Sequence, residues 1–354
     1  MAHVTERLPV AVLGATGSVG QKFITLLADH PWFEIVAITA SSRSAGKLYT
    51  DSVDWVQPLP IPEHVATMTV LPSDPVNGPK LAFSALDASV AGDTEIAFAE
   101  AGCVVVSNAR NHRMADDVPL LIPEVNPDHL ALVDHQAYGS GAIITNPNCS
   151  TIGLVLALKP LHDQYKLRQV GVVTMQAISG AGLPGLSNPE FSDNVIPYIA
   201  GEEEKMASES KKILGILNGS HVNMAAFDLS AQCNRVPVMD GHVECVSVCL
   251  EEPATIPDII KAWEEFKGEP QKLKLPSAPS SPLVYMRQDA HPQPRLHRDL
   301  GRGMTVSVGR LQPCSVLDFK FVVLSHNTIR GAAGGAILAA ELAVAKGVRG
   351  LRYG

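Results

Sequence analysis

None of the six cysteines, at 103, 149, 233, 245, 249 and 314, has a second cysteine three positions away, and no cluster of histidines stands beside any of them. That spacing argues against a disulfide framework and a structural zinc, and no metal site is expected. The chain also lacks a run of lysine or arginine, and its formal net charge is -8, so it has no general attraction to a phosphate backbone or an anionic lipid surface. Neither nucleic acid nor membrane is expected as a partner, and an anionic substrate would need specific arginines. No apolar stretch approaches the roughly 18 to 20 residues that span a bilayer. The opening MAHVTERLPV carries charges where a signal peptide needs an apolar stretch, so a cytoplasmic protein is the expectation. Internal repeats of roughly 20 to 50 residues are missing too, which removes solenoids and propellers.

What is present is a chain of 354 residues, 46% hydrophobic and 18% charged, long enough for two cores and for a ligand cleft between them. From Pro9 it reads PVAVLGATGSVGQKFITLLADHPWFEIVAITASS: a buried strand, a glycine-rich turn, an amphipathic helix ending near His30 and a second apolar strand. Apolar runs at Lys80 to Leu86 and Gly102 to Ser107, separated by a helical stretch from Asp93 to Ala101, continue the alternation of a parallel, doubly wound sheet. The expected class is α/β. Residues 1–145 are read as a Rossmann-type dinucleotide-binding domain and 146–325 as an α+β catalytic and dimerisation domain with longer, β-branched strands. Residues 326–354 read as an Ala-rich helix returning to the first domain. Residues 269–297, rich in Pro, Ser and Gln, are expected to be an ordered excursion or a mobile loop, and no chemistry is assigned to them.

The first motif, GATGSVG, sets Gly14, Gly17 and Gly20 between a strand and a helix, where backbone N–H groups can hold a pyrophosphate. A tight turn needs glycine with or without a ligand, but the βαβ context favours a dinucleotide. The second strand ends in Ala40-Ser41-Ser42-Arg43-Ser44, with no acid to accept ribose hydroxyls, and a guanidinium suits a 2′-phosphate. NADP is therefore expected over NAD. In NPNCST, Asn146 to Thr151, Cys149 stands where a buried helix begins, and the helix N-terminus is expected to lower the thiol pKa and to stabilise an oxyanion. Polar Asn146, Asn148, Ser150 and Thr151 are not the surroundings of a core cysteine. Arg235 and His242 are seven apart, which on one straight strand would face opposite ways. Pro237 and the Asp240-Gly241 turn let both face one cleft.

These residues, with GATGSVG, SNARNHRM, PNCST, QAISGAG, EEEKMASESKKIL, RVPVMDGHVE and SHNTIRGAAGG, resemble the aspartate-semialdehyde dehydrogenase family over nearly the full length, especially its fungal and archaeal form. The resemblance implies NADP-dependent, reversible reductive dephosphorylation of L-aspartyl-4-phosphate through a Cys thioester, in the synthesis of lysine, threonine, methionine and isoleucine. It implies Cys149 as nucleophile, His242 as the acid/base group that takes and returns the proton, and Gln176 as a guide to the acyl group. Arg235 would bind the substrate carboxylate and Glu209 its ammonium, with Asn148 beside them; Arg113 and Lys212 would hold phosphate. Around Glu209, the residues Glu202, Glu203, Glu204, Lys205 and Lys211 are alternatives. Gly14, Thr16, Gly17, Ser18 and Val19 would cradle NADP, with Ser41, Ser42 and Arg43 at its 2′-phosphate. Ser84, Ser179, Gly180 and Asn327 complete the cofactor set, and a homodimer or homotetramer is implied. Two readings compete: another acyl-phosphate or acyl-thioester reductase, such as an N-acetylglutamyl-phosphate or malonyl-CoA reductase, and a redox sensor that binds a dinucleotide without turnover.

Overall fold

The structure is a computed structural model that describes residues 7–75, 79–349 and 351. The charged opening segment, residues 1–6, lies outside the described residues, as do 76–78, 350 and 352–354. Two β-sheets organise the chain. The first is built from β1 (Leu8–Leu13), β2 (Phe33–Thr39), β3 (Leu81–Ser84), β4 (Val104–Ser107) and β5 (Ala142–Thr145), in the order β2-β1-β3-β4-β5. Every pairing in it is parallel. Its strands are apolar almost throughout because helices cover both faces. Helix α1 (Ser18–Leu27) follows β1, and α2 (Ala88–Glu100) follows β3. In this strand order the chain changes direction across the sheet between β1 and β3, and ligands of such sheets lie in the crevice at that point. The GATGSVG turn leaves the sheet there.

Cys149 opens α3 (Cys149–Tyr165), whose residues from Ser150 to Leu158 are all buried. The second sheet begins after it with β6 (Leu167–Gln176). Helix α4 (Glu202–Ile213) and a hairpin of β7 (Ile216–Asn218) and β8 (His221–Asn223) lead to β9 (Asp228–Arg235) and β10 (His242–Leu250). Helix α5 (Ile256–Glu265) precedes β11 (Leu283–Met286), β12 (Val306–Pro313) and β13 (Phe319–Ser325). The order is β11-β12-β13-β10-β6-β9, with β6/β9 and β11/β12 parallel and the rest antiparallel. One face packs on α3 and α5, where buried Trp263 donates its indole N–H to the Ala157 carbonyl at 2.9 Å. The other face leaves Val173 and Cys245 exposed. The observed class is therefore a parallel Rossmann-like sheet joined to a mixed sheet.

Segment 269–297 is ordered: it supplies the edge strand β11 and, through Ser277 N–H, a bidentate contact to Glu341. Glu341 lies in α6 (Gly334–Ala345), which is buried from Gly334 to Val344 in the same core as β1, β3 and β4. Its small residues permit that close packing. No helix among the described residues is long and apolar enough to cross a membrane.

The close fit of turn to helix is measurable at Gly20, where an added Cβ would collide with the Gly14 carbonyl oxygen and stand 2.7 Å from Ala15 Cα. Gly20→Ala is expected to cost about 1 to 3 kcal/mol by overpacking. At Gly17 an added Cβ meets nothing closer than 3.5 Å, so Gly17→Ala should cost less. Chemical denaturation of both variants checks the order, and an unshifted Gly20→Ala midpoint would contradict the packing.

Candidate active site

The site is built around the first turn of α3. Asn148 is its N-cap: Oδ1 accepts from Ser150 N at 3.0 Å and Thr151 N at 3.4 Å, which orients the turn and leaves Cys149 at its start. His242, the first residue of β10, sets Nε2 3.2 Å from Cys149 Sγ. Gly241 before it has φ +101, a conformation that a side chain disfavours, and its N–H donates to Asn327 Oδ1 at 2.8 Å. The chain can thereby turn back between β9 and β10 and bring Arg235 and His242 to one place. Both line the space over Gly180, where an added Cβ would lie 2.9 Å from Arg235 Nη1 and 3.4 Å from His242 Nε2. Gln176, at the end of β6, pairs with Arg235 in the sheet register and completes this wall.

The His242 ring is held from its other side. Ala177 N–H donates to Nδ1 at 3.0 Å. A backbone N–H can only donate, so Nδ1 holds a lone pair, and the proton of the neutral ring is on Nε2, directed at the sulfur. In this resting geometry Nε2 is therefore the donor to the sulfur.

Helix α4 supplies two acids to the site in different ways. Glu209 accepts from Arg113 Nη1 at 2.9 Å and from Asn148 N–H at 2.7 Å, so both carboxylate oxygens bind the framework. Lys212 Nζ donates to the carbonyls of Arg113, Ala115 and Val118 at 2.8, 2.6 and 2.9 Å. Burial lowers its pKa to about 8. Lys212 thus spends its three N–H donors on the framework, whereas each oxygen of Glu209 accepts a single bond and keeps a further acceptor site. Glu202 accepts from Asn148 Nδ2 at 2.9 Å and is met by Lys205 Nζ at 2.8 Å and Gln176 Nε2 at 3.4 Å, and its charge bears on the Cys149 thiol. Arg113 also donates to Asn108 O at 2.7 Å, and its buried Nε has no partner.

At the first sheet, Gly14 has φ +74, and an added Cβ would lie 2.7 Å from Ala85 O. No side chain caps α1 at Gly17, so the N–H groups of its first turn are open to an anion. Gly14, Thr16, Gly17, Ser18 and Val19 are half-buried around this turn, and Ser41, Ser42 and Arg43 are exposed where β2 ends. Ser179 and Asn327 face each other, Asn327 Nδ2 donating to Ser179 Oγ at 2.8 Å. Ser84 is different: it is fully buried and its hydroxyl donates to Glu95 Oε1 at 2.6 Å, as does Ser107. Its side chain is a tie between β3 and α2.

Residues 9–133 match the family model described as "Semialdehyde dehydrogenase, NAD binding domain", and residues 158–330 the one described as "Semialdehyde dehydrogenase, dimerisation domain". An aspartate-semialdehyde dehydrogenase of Archaeoglobus fulgidus is 47% identical over 342 residues, covering 96% of this chain and 98% of that one. The Saccharomyces cerevisiae enzyme is 47% identical over 354 residues, covering 95% and 97%. The chain belongs to the aspartate-semialdehyde dehydrogenase family. A crystal structure of aspartate semialdehyde dehydrogenase with NADP from Candida albicans superposes with a TM-score of 0.89 at 46% identity, over 97% of this chain and 99% of that one. A second structure, of aspartate semialdehyde dehydrogenase II complexed with ASA from Vibrio cholerae, gives 0.77 at 27% identity, over 96% and 99%.

Within this family cleft, electrostatics do not follow the helix terminus alone. Cys149 keeps partial solvent contact, yet desolvation pushes its thiol up to about 12 with help from Glu202, against Arg235, Arg113 and the Ser150 N–H. The expected lowering is thus outweighed by burial. His242 is pulled down to about 3 by desolvation first, then by Arg235 and His326. Protonating Nδ1 would also oppose the Ala177 N–H. The resting pair is a thiol and a neutral imidazole.

A buried histidine with a depressed pKa stabilises the fold above its ordinary value of 6.5, and that contribution is lost as pH falls from 6.5 towards 3. Thermal unfolding measured from pH 8 down to pH 4 should therefore show a smaller loss of Tm in His242→Gln than in the parent. Equal slopes would mean that His242 titrates normally in the folded protein.

Proposed function

We propose that this chain interconverts L-aspartyl-4-phosphate and L-aspartate-4-semialdehyde with NADP, through an acyl thioester on Cys149, in the route to lysine, threonine, methionine and isoleucine. The observation that carries the reading is Cys149 Sγ, at the start of α3 and 3.2 Å from the Nε2–H of His242. Arg113 and Arg235 act on that same sulfur. The family membership supports it. The outer face of the second sheet, with Val173 and Cys245 exposed, fits a homodimer or a dimer of dimers.

The residues present fit NADP. The uncapped α1 terminus and the turn at Gly14 suit a pyrophosphate, and Ser41, Ser42 and Arg43, with no acid beside them, suit a 2′-phosphate. Gly180, Ser179 and Asn327 border the reacting end. Bound there, NADP takes up the hydride in the oxidative direction and gives it back in the other.

In the oxidative direction Cys149 loses its proton to water at the open side of the cleft, and its sulfur adds to the aldehyde carbon. The carbonyl π electrons move to oxygen, and the Nε2–H of His242 stabilises that alkoxide as it does the thiolate; a neutral imidazole suits such a donor role. Loss of hydride restores the carbonyl as a thioester. Phosphate, drawn by Arg113 and Lys205, adds to the acyl carbon, and the C–S electrons return to Cys149 as the acyl phosphate leaves. Arg235 holds the substrate carboxylate, and an acid of α4, Glu209 or Glu202, meets its ammonium.

The deciding experiment is NADPH formation from aspartate semialdehyde with and without inorganic phosphate. Turnover should require phosphate and vanish in Cys149→Ala while NADP still binds. Phosphate-independent turnover, or an active Cys149→Ala, sinks the acyl-phosphate reading.

The ammonium assignment has its own test. Where Glu202 is that acid, Glu202→Gln removes a charge-assisted partner worth about 1.5 to 3 kcal/mol, or roughly 10- to 150-fold in kcat/KM for aspartate semialdehyde. Succinic semialdehyde lacks the amino group, so the variant should use it little worse than the parent. Glu209→Gln is read in the same way: the acid whose loss falls on aspartate semialdehyde alone meets the ammonium, and equal depression of both substrates marks a framework role, since each acid also holds Asn148.

A further inference from the structure

Far from the reacting atoms in sequence, Arg330 and Glu124 form a bidentate ion pair, Nη1 to Oε1 at 2.8 Å and Nη2 to Oε2 at 2.5 Å. Their side chains are 1% and 0% exposed. A charged pair so completely desolvated is a poor device for stability alone, since apolar residues of similar volume often do as well. Its location gives it another use. Arg330 belongs to the π-helical turn Ile329–Ala333, and such turns recur at functional sites.

The turn is pressed against the nucleophile. Gly331 packs so closely on Cys149 that an added Cβ would stand 2.8 Å from Cys149 Cβ and 2.9 Å from its Cα. Three contacts keep it in register: Gly331 N–H donates to His326 O at 2.9 Å, Asn146 Nδ2 donates to Ala332 O at 3.3 Å, and Asn146 Oδ1 abuts Gly335. Glu124 is itself fixed, packed under Gly268 and receiving Gln271 Nε2 at 3.4 Å. A continuous path of contact therefore runs from Gly268 and Gln271 through Glu124, Arg330 and Gly331 to Cys149.

We propose that Glu124 and Arg330 are positioning residues for Cys149: their fork locks the π-turn, and the turn backs the sulfur against His242 and keeps water from behind it. The proposal rests on Cys149 being the nucleophile. It does not require either charge to touch substrate. A planar guanidinium is needed for the fork, so lysine at 330 cannot replace it.

Arg330→Lys and Glu124→Gln should lower kcat by about 10- to 100-fold, as small misplacements of a reacting group do, with the KM values for aspartate semialdehyde and NADP within about twofold of the parent. Loosening the turn admits water behind the thiol. The pH midpoint of Cys149 alkylation by iodoacetamide should therefore move down in both variants. A pair that serves stability alone would lower Tm but leave the kcat of the folded fraction and the alkylation midpoint unchanged, and that result overturns the proposal. Should the charge variants not fold, Gly331→Ala applies the same question directly: its methyl must displace Cys149, so the same drop in kcat at constant KM is expected, and parental kcat in a folded Gly331→Ala overturns it. Turnover retained by Cys149→Ala would defeat the underlying reading, whereas a normal need for Cys149 with unaffected positioning variants defeats only this inference.

Discussion

Asn148 commits every polar atom it has to fixing the residue beside it. Its carbonyl accepts from Ile152 N, its Oδ1 from Ser150 N and Thr151 N, its Nδ2 meets Glu202, and its N–H meets Glu209. The cap makes α3 begin at Cys149 and nowhere else, because a helix can start only where its first N–H groups find acceptors. Through Glu209 the cap also fixes Arg113, and through Glu202 it fixes Lys205 and Gln176. The cations and acids that surround the sulfur are thus oriented by the same residue that starts the helix. Removing one of these contacts would leave others buried and unpaired, which is why such a network holds a single geometry.

That geometry sets reactivity against burial. A helix terminus, two arginines and an imidazole N–H all favour a thiolate, yet desolvation outweighs them and pushes the Cys149 thiol up to about 12. A thiol at rest is protected from adventitious oxidation and alkylation, since the thiolate is the reactive form. Arg235 donates to the Ala177 carbonyl at 2.7 Å and has no ion-pair partner among the described residues, so the buried guanidinium is left with an uncompensated charge beside the sulfur.

Local signals in the sequence predicted local features well. The glycine turn after β1 follows from steric need alone, and the start of α3 follows from an Asn cap ahead of an apolar run. The parallel sheet and the change to longer strands after Cys149 were also legible, because alternating apolar strands and helices admit few other arrangements. Within α4 the sequence left two pairs of candidates. Glu202 with Lys205, and Glu209 with Lys212, have the same spacing of three and stand seven apart, so both pairs lie on one helix face. No property of the helix itself distinguishes them. Both acids hold Asn148, and what differs is their other neighbour: Glu209 finds Arg113 and Lys212 finds three carbonyls of the segment 113–118, whereas Glu202 finds Lys205 and Gln176.

The same limit applies to His242, where the decisive atom is not on a side chain. The sequence indicates an imidazole near the sulfur, but its tautomer depends on the N–H of Ala177, which any residue other than proline would supply. Backbone donors leave no mark in a sequence. Their effect on chemistry is large nonetheless: a carbonyl in place of that N–H would put the ring proton on Nδ1 and turn Nε2 into a base. The reaction available to Cys149 is therefore set partly by the path of the main chain between β6 and the Ile178–Ala181 turn, where Ile178 N–H holds Val238 O at 2.8 Å and Ser179 N–H holds Met239 O at 3.2 Å. Those two bonds pin the loop that carries Ala177 to the loop that carries His242, so donor and acceptor are held by one short piece of backbone.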